Sequence, residues 1–171
     1  MDNPAVEIIT LRVDEWPLYK QIRVEAVTDS PQAFGSNREQ QLVHPDSFWQ
    51  KRLEDAARGE SQWLLFARSA GDLVGMIGAY RDENTSQEAT VISVYVTPSA
   101  RGRGISALLM KAILEKLRQA GMRKVWIGVN IEQKAALHLY QKTGFQVVAT
   151  EHNRMGDGEF HDEYRMAMML E

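Results

Sequence analysis

The sequence contains no cysteine. The chain therefore cannot form disulfides, bind a metal through thiolates or use a cysteine nucleophile, and this composition is typical of a reducing compartment. No stretch approaches the roughly 18 consecutive apolar residues of a transmembrane helix. Residues 1–4 lack the basic and apolar regions of a secretory signal. We therefore expect a cytoplasmic protein without a membrane partner.

Neither sign of charge dominates, since 20 Lys and Arg oppose 23 Asp and Glu for a net charge of −3. This balance argues against a dedicated nucleic-acid-binding protein. The length of 171 residues, of which 44% are apolar, predicts a single domain over residues 1–171. The four histidines lack the spacing of metal ligands, so we predict no metal site: His44, His138, His152 and His161.

The order of predicted elements is β-αα-βββ-α-β-α-ββ, which indicates an α/β fold with a mixed sheet. The strongest strand signal covers residues 90–96, and an amphipathic helix follows over residues 105–120. Residues 63–68 and 73–80 form a predicted hairpin, in which Gly75 and Gly78 indicate close backbone approach or a bulge. Other helices are predicted over residues 14–29, 45–58 and 133–143.

A glycine-rich loop connects the strong strand to this helix. The loop and the start of the helix comprise Arg101, Gly102, Arg103, Gly104, Ile105 and Ser106. Glycines let the backbone turn tightly, and the first N–H groups of a helix are unpaired, so together they can bind phosphate oxygens. The spacing fits neither a P-loop nor a dinucleotide fingerprint. A plain turn with two solvated arginines is the alternative, whereas an RNA-binding Arg-Gly segment is disfavoured because an amphipathic helix starts here.

A second motif, Leu139-Tyr140 followed by Gly144-Phe145, lies on the last predicted helix. The two motifs together, with the order of elements, resemble the GNAT superfamily of N-acetyltransferases. The resemblance implies a mixed, mostly antiparallel central sheet flanked by helices, and acetyl-CoA as co-substrate. It also implies that the loop from Arg101 to Ser106 binds the pyrophosphate of coenzyme A.

The resemblance further implies that the fourth strand carries a bulge and splays away from the fifth. The pantetheine arm is then expected along the open edge formed by Val94, Tyr95 and Val96. A backbone N–H at this edge would polarise the thioester carbonyl.

Catalytic roles follow from the same resemblance. Tyr140 is expected to protonate the leaving thiolate, the alternative being a tyrosine that only packs the helix. Gln133 stands where the family has asparagine as a cofactor contact, and Asn130 is a second candidate for this contact. Glu88 is the candidate general base if the strand extends that far, with a solvated glutamate or a water relay as alternatives.

The family builds its acceptor site from variable segments, which here include Phe34, Gly35 and Tyr80. Acidic groups in these segments are expected to attract a cationic amine. We predict direct transfer of an acetyl group to a primary amine of a small molecule, without an acyl-enzyme. A protein or peptide N-terminal acetyltransferase and a non-catalytic acyl-CoA sensor are the alternatives. Homodimers are common in the superfamily, so a second copy of the chain is a candidate partner.

Overall fold

A seven-stranded mixed sheet forms the centre of the molecule in the computed structural model, which describes residues 3–171. The strands are β1 (Val6–Ile9), β2 (Gln62–Ser69), β3 (Asp72–Arg81), β4 (Glu88–Val96), β5 (Lys124–Asn130), β6 (Gln146–Arg154) and β7 (Phe160–Met169). Their order in the sheet is β1-β2-β3-β4-β5-β7-β6. Only β4 and β5 pair in parallel, so the predicted mixed and mostly antiparallel sheet is confirmed.

Five helices flank the sheet: α1 (Trp16–Asp29), α2 (Arg38–Leu42), α3 (Asp46–Arg58), α4 (Ile105–Gln119) and α5 (Lys134–Thr143). The helix α2 was not predicted. Its signal is a capping box, in which Asn37 Oδ1 accepts from Gln40 N and Gln40 Oε1 accepts from Asn37 N, both at 2.9 Å. The Asn-x-x-Gln pattern could therefore have identified this short helix.

Each face of the sheet carries its own apolar core. The helix α4 packs on one face through a stripe at helical spacing, where Leu109, Ile113 and Leu117 are fully buried. The helices α1 and α3 cover the other face. The core between them and the sheet includes Trp49 of α3 and Phe66 of β2. Both faces are apolar because successive strand residues point in opposite directions, so the central strands are buried on both sides.

The strand β4 bulges midway along its length. Ile92 pairs with Gly78 and Tyr95 pairs with Met76, so two residues of β4 lie opposite the single residue Ile77 of β3. One of those two residues is Ser93, whose φ of 59° is the left-handed conformation typical of a bulge or turn. The bulge therefore changes the direction of β4 just before its last residues.

The strands β4 and β5 separate at this bulge. Their pairing covers only the segment from Glu88 to Val91 of β4, opposite Lys124 to Ile127 of β5. Beyond Val91, no strand within residues 3–171 pairs with the edge of β4 that faces β5. The splayed fourth strand implied by the resemblance is thus present, and it opens a gap in the middle of the sheet.

Candidate active site

A cleft of about 540 Å³ occupies the gap between the separated strands. Its walls come from the end of β4, the start of α4, one side of α5 and the loop after α1. Eleven of the residues that the sequence predicted for the site line it: Phe34, Val94, Tyr95, Val96, Arg101, Gly102, Gly104, Ile105, Ser106, Gln133 and Tyr140. The fold therefore gathers into one cleft segments that are far apart in the sequence.

The glycine-rich loop presents open backbone to the cleft. Gly102 and Gly104 have φ values of 80° and 76°, which favour glycine strongly. A Cβ added at either position would have no heavy atom within 4 Å, so there is free space above the loop. No side chain of the described residues caps the start of α4, which leaves its first N–H groups available. This geometry fits the phosphate groups of a ligand.

The two loop arginines make contacts within the protein. Arg101 donates from Nη2 to Asp29 Oδ2 at 2.6 Å and from Nε to the Val96 carbonyl at 3.0 Å. Arg103 donates from Nη2 to Ser69 Oγ at 3.1 Å, and its side chain does not line the cleft. The arginine side chains thus hold the loop in place, and the ligand-facing groups of the loop are mainly its backbone amides.

The end of β4 offers its backbone to the cleft. The side chain of Tyr95 is buried in the core on the α1 side, with its ring centre 5.8 Å from the guanidinium carbon of Arg101. Burial, followed by the neighbouring Glu25, raises the pKa of its hydroxyl. Tyr95 therefore contributes its main chain to the cleft, as does Val94 at the bulge, and an extended ligand could add to this edge as a strand does.

Tyr140 is the titratable side chain best placed for chemistry in the cleft. It lines the cleft and is 5% exposed. Burial raises the pKa of the hydroxyl well above its ordinary value of 10.0. The phenol is protonated at neutral pH, and the raised pKa means that it can donate its proton only to a strongly basic group in the cleft, such as a thiolate.

The side chain of Asn130 makes hydrogen bonds that stabilise the fold. Its Oδ1 accepts from the backbone N–H of Glu132 at 2.9 Å, and its Nδ2 donates to the Gln32 carbonyl at 3.2 Å. The side chain is buried and connects the end of β5 to the loop after α1. Of the two amide candidates, Gln133 lines the cleft and Asn130 does not.

Glu88 lies far from the bulge. It is the first residue of β4, five residues before Ser93, which corresponds to about 16 Å along a strand. Its Oε1 is 3.9 Å from Nζ of Lys124 on β5. The strand does extend to Glu88, but the carboxylate is outside the cleft and next to a lysine.

The three candidate acceptor residues separate in the structure. Phe34 is buried and lines the cleft, and Gly35 is the exposed residue after it. Tyr80 is 43% exposed near the far end of β3 and does not line the cleft. The backbone N–H of Gly156 donates to the Phe34 carbonyl at 2.7 Å, so the turn between β6 and β7 packs on this loop.

Arg23 is the polar residue beside the cleft that the sequence did not reveal. Its guanidinium carbon lies 4.9 Å from the centre of the Phe34 ring, and its Nη1 donates to Ser93 Oγ at 3.0 Å. An arginine on an amphipathic helix looks like a solvent-facing residue in the sequence. Its position at the bulge depends on how α1 packs across β4, which no local pattern shows.

Residues 3–171 contain no group of three or more His, Asp or Glu side chains placed to hold a metal ion. Within the same residues, no helix has both the length and the apolar character needed to cross a membrane.

A splayed mixed sheet, with a glycine-rich loop at the start of the helix after the bulged strand, defines the fold class of the CoA-dependent N-acyltransferases. Comparison with known proteins agrees. The sequence model of the Acetyltransferase (GNAT) family matches residues 24–145, and the chain belongs to this family of N-acetyltransferases.

Characterised relatives are moderately similar in sequence. The streptothricin acetyltransferase of Streptomyces lavendulae is 32% identical over 54% of this chain and 50% of its own length. The mycothiol acetyltransferase of Rhodococcus jostii is 31% identical over 73% of this chain and 45% of its own length. This chain thus matches about half of each of these two enzymes.

The fold recurs in a solved structure of a putative acetyltransferase from Salmonella typhimurium with its cofactor acetyl-CoA. That structure has a TM-score of 0.82 and 17% identity, and the match covers 98% of this chain and 95% of the other. At this level of identity the likeness shows the fold.

Proposed function

We propose that this N-acetyltransferase uses acetyl-CoA and transfers the acetyl group directly to a primary amine of a small molecule. One observation supports the proposal most strongly: a single cleft joins an open glycine-rich phosphate site, an unpaired strand edge and the protonated hydroxyl of Tyr140. These are the three elements that a CoA thioester needs, for its diphosphate, its pantetheine arm and its leaving thiolate.

The cleft offers a group for each part of acetyl-CoA. The diphosphate would accept hydrogen bonds from the amides that follow Gly102 and Gly104, and the pantetheine amides would pair with the open edge of β4 near Val94. Bound in this way, acetyl-CoA supplies the acetyl group as a thioester. A β4 backbone N–H beside the bulge would then donate to the thioester carbonyl oxygen as negative charge develops on it.

In this proposal, Tyr140 and solvent carry out the proton transfers. The Tyr140 hydroxyl would donate its proton to the leaving sulfur, because it lies in the cleft and a phenol is protonated at neutral pH. The amine must lose a proton before or during attack. The position of Glu88 outside the cleft, beside Lys124, favours the water relay over this glutamate as the route for that proton.

Small-molecule acceptors have indirect support from relatives. Two relatives in the same sequence comparison are named for mycothiol and streptothricin, both small molecules. A peptide acceptor and a sensor without turnover are the competing functions, and both would use the same CoA cleft. The acceptor must therefore be determined by assay.

The decisive assay measures the release of free thiol from acetyl-CoA in the presence of amines, amino acids and short peptides. We expect turnover with at least one free amine or amino acid. Preference for peptides would support the N-terminal acetyltransferase, and tight acetyl-CoA binding without any turnover would support the sensor.

A pair of glycine variants tests the phosphate site in the same preparation. Gly104→Trp should abolish CoA binding measured by calorimetry, because the indole would fill the space above the loop. Gly121→Trp is the matched control, since Gly121 also has a positive φ of 83° and an open environment but lies at the other end of α4. CoA binding by Gly104→Trp as tight as that of the control would contradict the assigned site.

A further inference from the structure

The strongest unexplained feature is a group of hydrogen-bond donors at the bulge of β4. Arg23 donates from Nη1 to Ser93 Oγ at 3.0 Å and from Nη2 to Ser36 Oγ at 3.4 Å. Gln41 Nε2 also donates to Ser36 Oγ, at 2.7 Å, and Gln41 is buried. The cluster therefore consists of one guanidinium, two hydroxyl groups and one amide. It lies where α1, the loop after it and α2 meet the bulge of β4.

The two serine hydroxyl groups in this cluster have protons available for a ligand. A guanidinium can only donate, so both serine oxygens must act as acceptors toward Arg23. Each hydroxyl then still has its own proton to donate, and no group in residues 3–171 accepts from either one. Arg23 also has N–H groups that these two contacts do not use, because a guanidinium carries five.

The positive charge of Arg23 lacks a counter-charge in the described chain. No carboxylate of residues 3–171 lies within 4.0 Å of its guanidinium, although six guanidinium–carboxylate pairs form elsewhere in these residues. Burial lowers the pKa of Arg23, with Tyr19 opposing and Arg52 adding to this effect. A half-buried cation without an anion is costly, and an incoming anion would relieve that cost.

The position of the cluster relates it to the transfer site. Ser93 is the neighbour of Val94, which lines the cleft where the thioester is expected. The Phe34 ring, which lines the same cleft, lies under the Arg23 guanidinium at 4.9 Å. An anion bound by Arg23 at Ser93 would therefore lie beside Val94 and Phe34, at the edge of the cleft.

We propose that Arg23, with the hydroxyl groups of Ser36 and Ser93, binds a carboxylate carried by the acceptor, so that the acceptor is an amino acid or a similarly short amino carboxylate. This rests on the proposed small-molecule N-acetyltransferase function. A short amino carboxylate places its amine at the thioester while its carboxylate completes the donor cluster. The same guanidinium favours the neutral form of the nearby amine, which is the nucleophile, and disfavours acceptors with several positive charges.

The test compares matched acceptors that differ only in the carboxylate. Thiol release from acetyl-CoA is measured with the common amino acids, their amides and the corresponding amines that lack the carboxyl group. We expect at least one amino acid to exceed its amide in kcat/KM by about tenfold or more. Amides or amines that react as well as the acids would overturn the proposal while leaving the acetyltransferase function intact.

Variants distinguish ligand binding from support of the bulge. In Arg23→Gln we expect kcat/KM for the acid to fall about 30-fold or more, mainly through KM, with less than about a threefold change for the amide. Arg23→Lys should recover part of the loss, since lysine keeps the positive charge but lacks the planar guanidinium that donates two parallel hydrogen bonds. An equal loss for acid and amide would show that Arg23 only holds Ser93, and would overturn the proposal.

Two controls keep the result interpretable. Arg81→Gln removes another half-buried arginine, which donates to the backbone of Glu60 and Ser86 outside the cleft, and it should leave the preference for acids unchanged. Binding of N-acetylated amino acids and their amides in the presence of CoA is measured by thermal shift, independently of turnover. If neither acid nor amide binds although CoA does, the carboxylate site is refuted, whereas loss of CoA binding itself would refute the proposed function.

Discussion

The contact between Gly156 and the loop after α1 allows a quantitative prediction. A Cβ at Gly156 would lie 2.2 Å from the Ser36 carbonyl oxygen, 2.8 Å from its carbonyl carbon and 3.1 Å from the Pro31 carbonyl oxygen. All three neighbours are backbone atoms, so no side-chain rotation can relieve the clash. The substitution Gly156→Ala must therefore separate the turn between β6 and β7 from the loop that carries Phe34.

The expected loss of stability follows from the contacts between this turn and this loop that the substitution breaks. The hydrogen bond from Gly156 N to the Phe34 carbonyl at 2.7 Å is lost or lengthened, which costs about 0.5–1.5 kcal/mol. The forced backbone shift adds about 1–3 kcal/mol, as in overpacked sites. We expect the free energy of unfolding to fall by about 2–4 kcal/mol.

Urea denaturation followed by fluorescence or circular dichroism measures this change. Gly128→Ala is the matched control, because Gly128 has neither a positive φ nor any heavy atom within 4 Å of an added Cβ. The control should stay within about 0.5 kcal/mol of the unsubstituted protein. Equal stability of the two alanine variants would refute the argument that backbone contact excludes a side chain at position 156.

Two further predictions concern Tyr140 and His161. Tyr140→Phe should lower kcat about 100-fold or more while the KM for acetyl-CoA stays within about threefold, because the ring keeps its packing and only the proton donor is lost; full turnover across the pH range would contradict the assigned acid. The hydrogen bond to Asp157, at 2.6 Å, raises the pKa of His161 above its ordinary value of 6.5. This contribution to stability is complete below pH 6.5 and is lost as the pH rises through the raised pKa. The difference in urea midpoint between the unsubstituted protein and His161→Asn should therefore shrink from about pH 5.5 to pH 8.5, and a constant difference would contradict the pair.

Local features of the fold were readable from the sequence. The helix α4 was predicted to begin at Ile105, where it does begin, because the glycines before it and the apolar stripe within it act over one or two turns. The hairpin of β2 and β3 was also predicted, and its turn has positive φ at Ala70 and Gly71. A Cβ added at Gly75 would lie 3.0 Å from the Tyr95 carbonyl oxygen, which confirms the close backbone approach expected there.

Features that depend on pairs of distant segments were not readable in this way. Glu88 is the candidate base that the sequence offers, but its distance from the cleft depends on where β4 and β5 separate, which is set by the pairing of β4 with Lys124 to Ile127. Arg23 carries no local signal, because its role depends on the contact of α1 with Ser93, 70 positions further along the chain.

The sequence by itself therefore determined the order of the strands and long helices, the glycine-rich loop before α4 and the family. Each of these depends on residues close together along the chain, where backbone conformation and hydrophobic period act directly. The tertiary structure decided which side chains meet at the bulge of β4, namely Arg23, Ser36 and Ser93. Such meetings follow from the packing of a helix across a sheet, which depends on the summed contacts of many residues and not on any short motif.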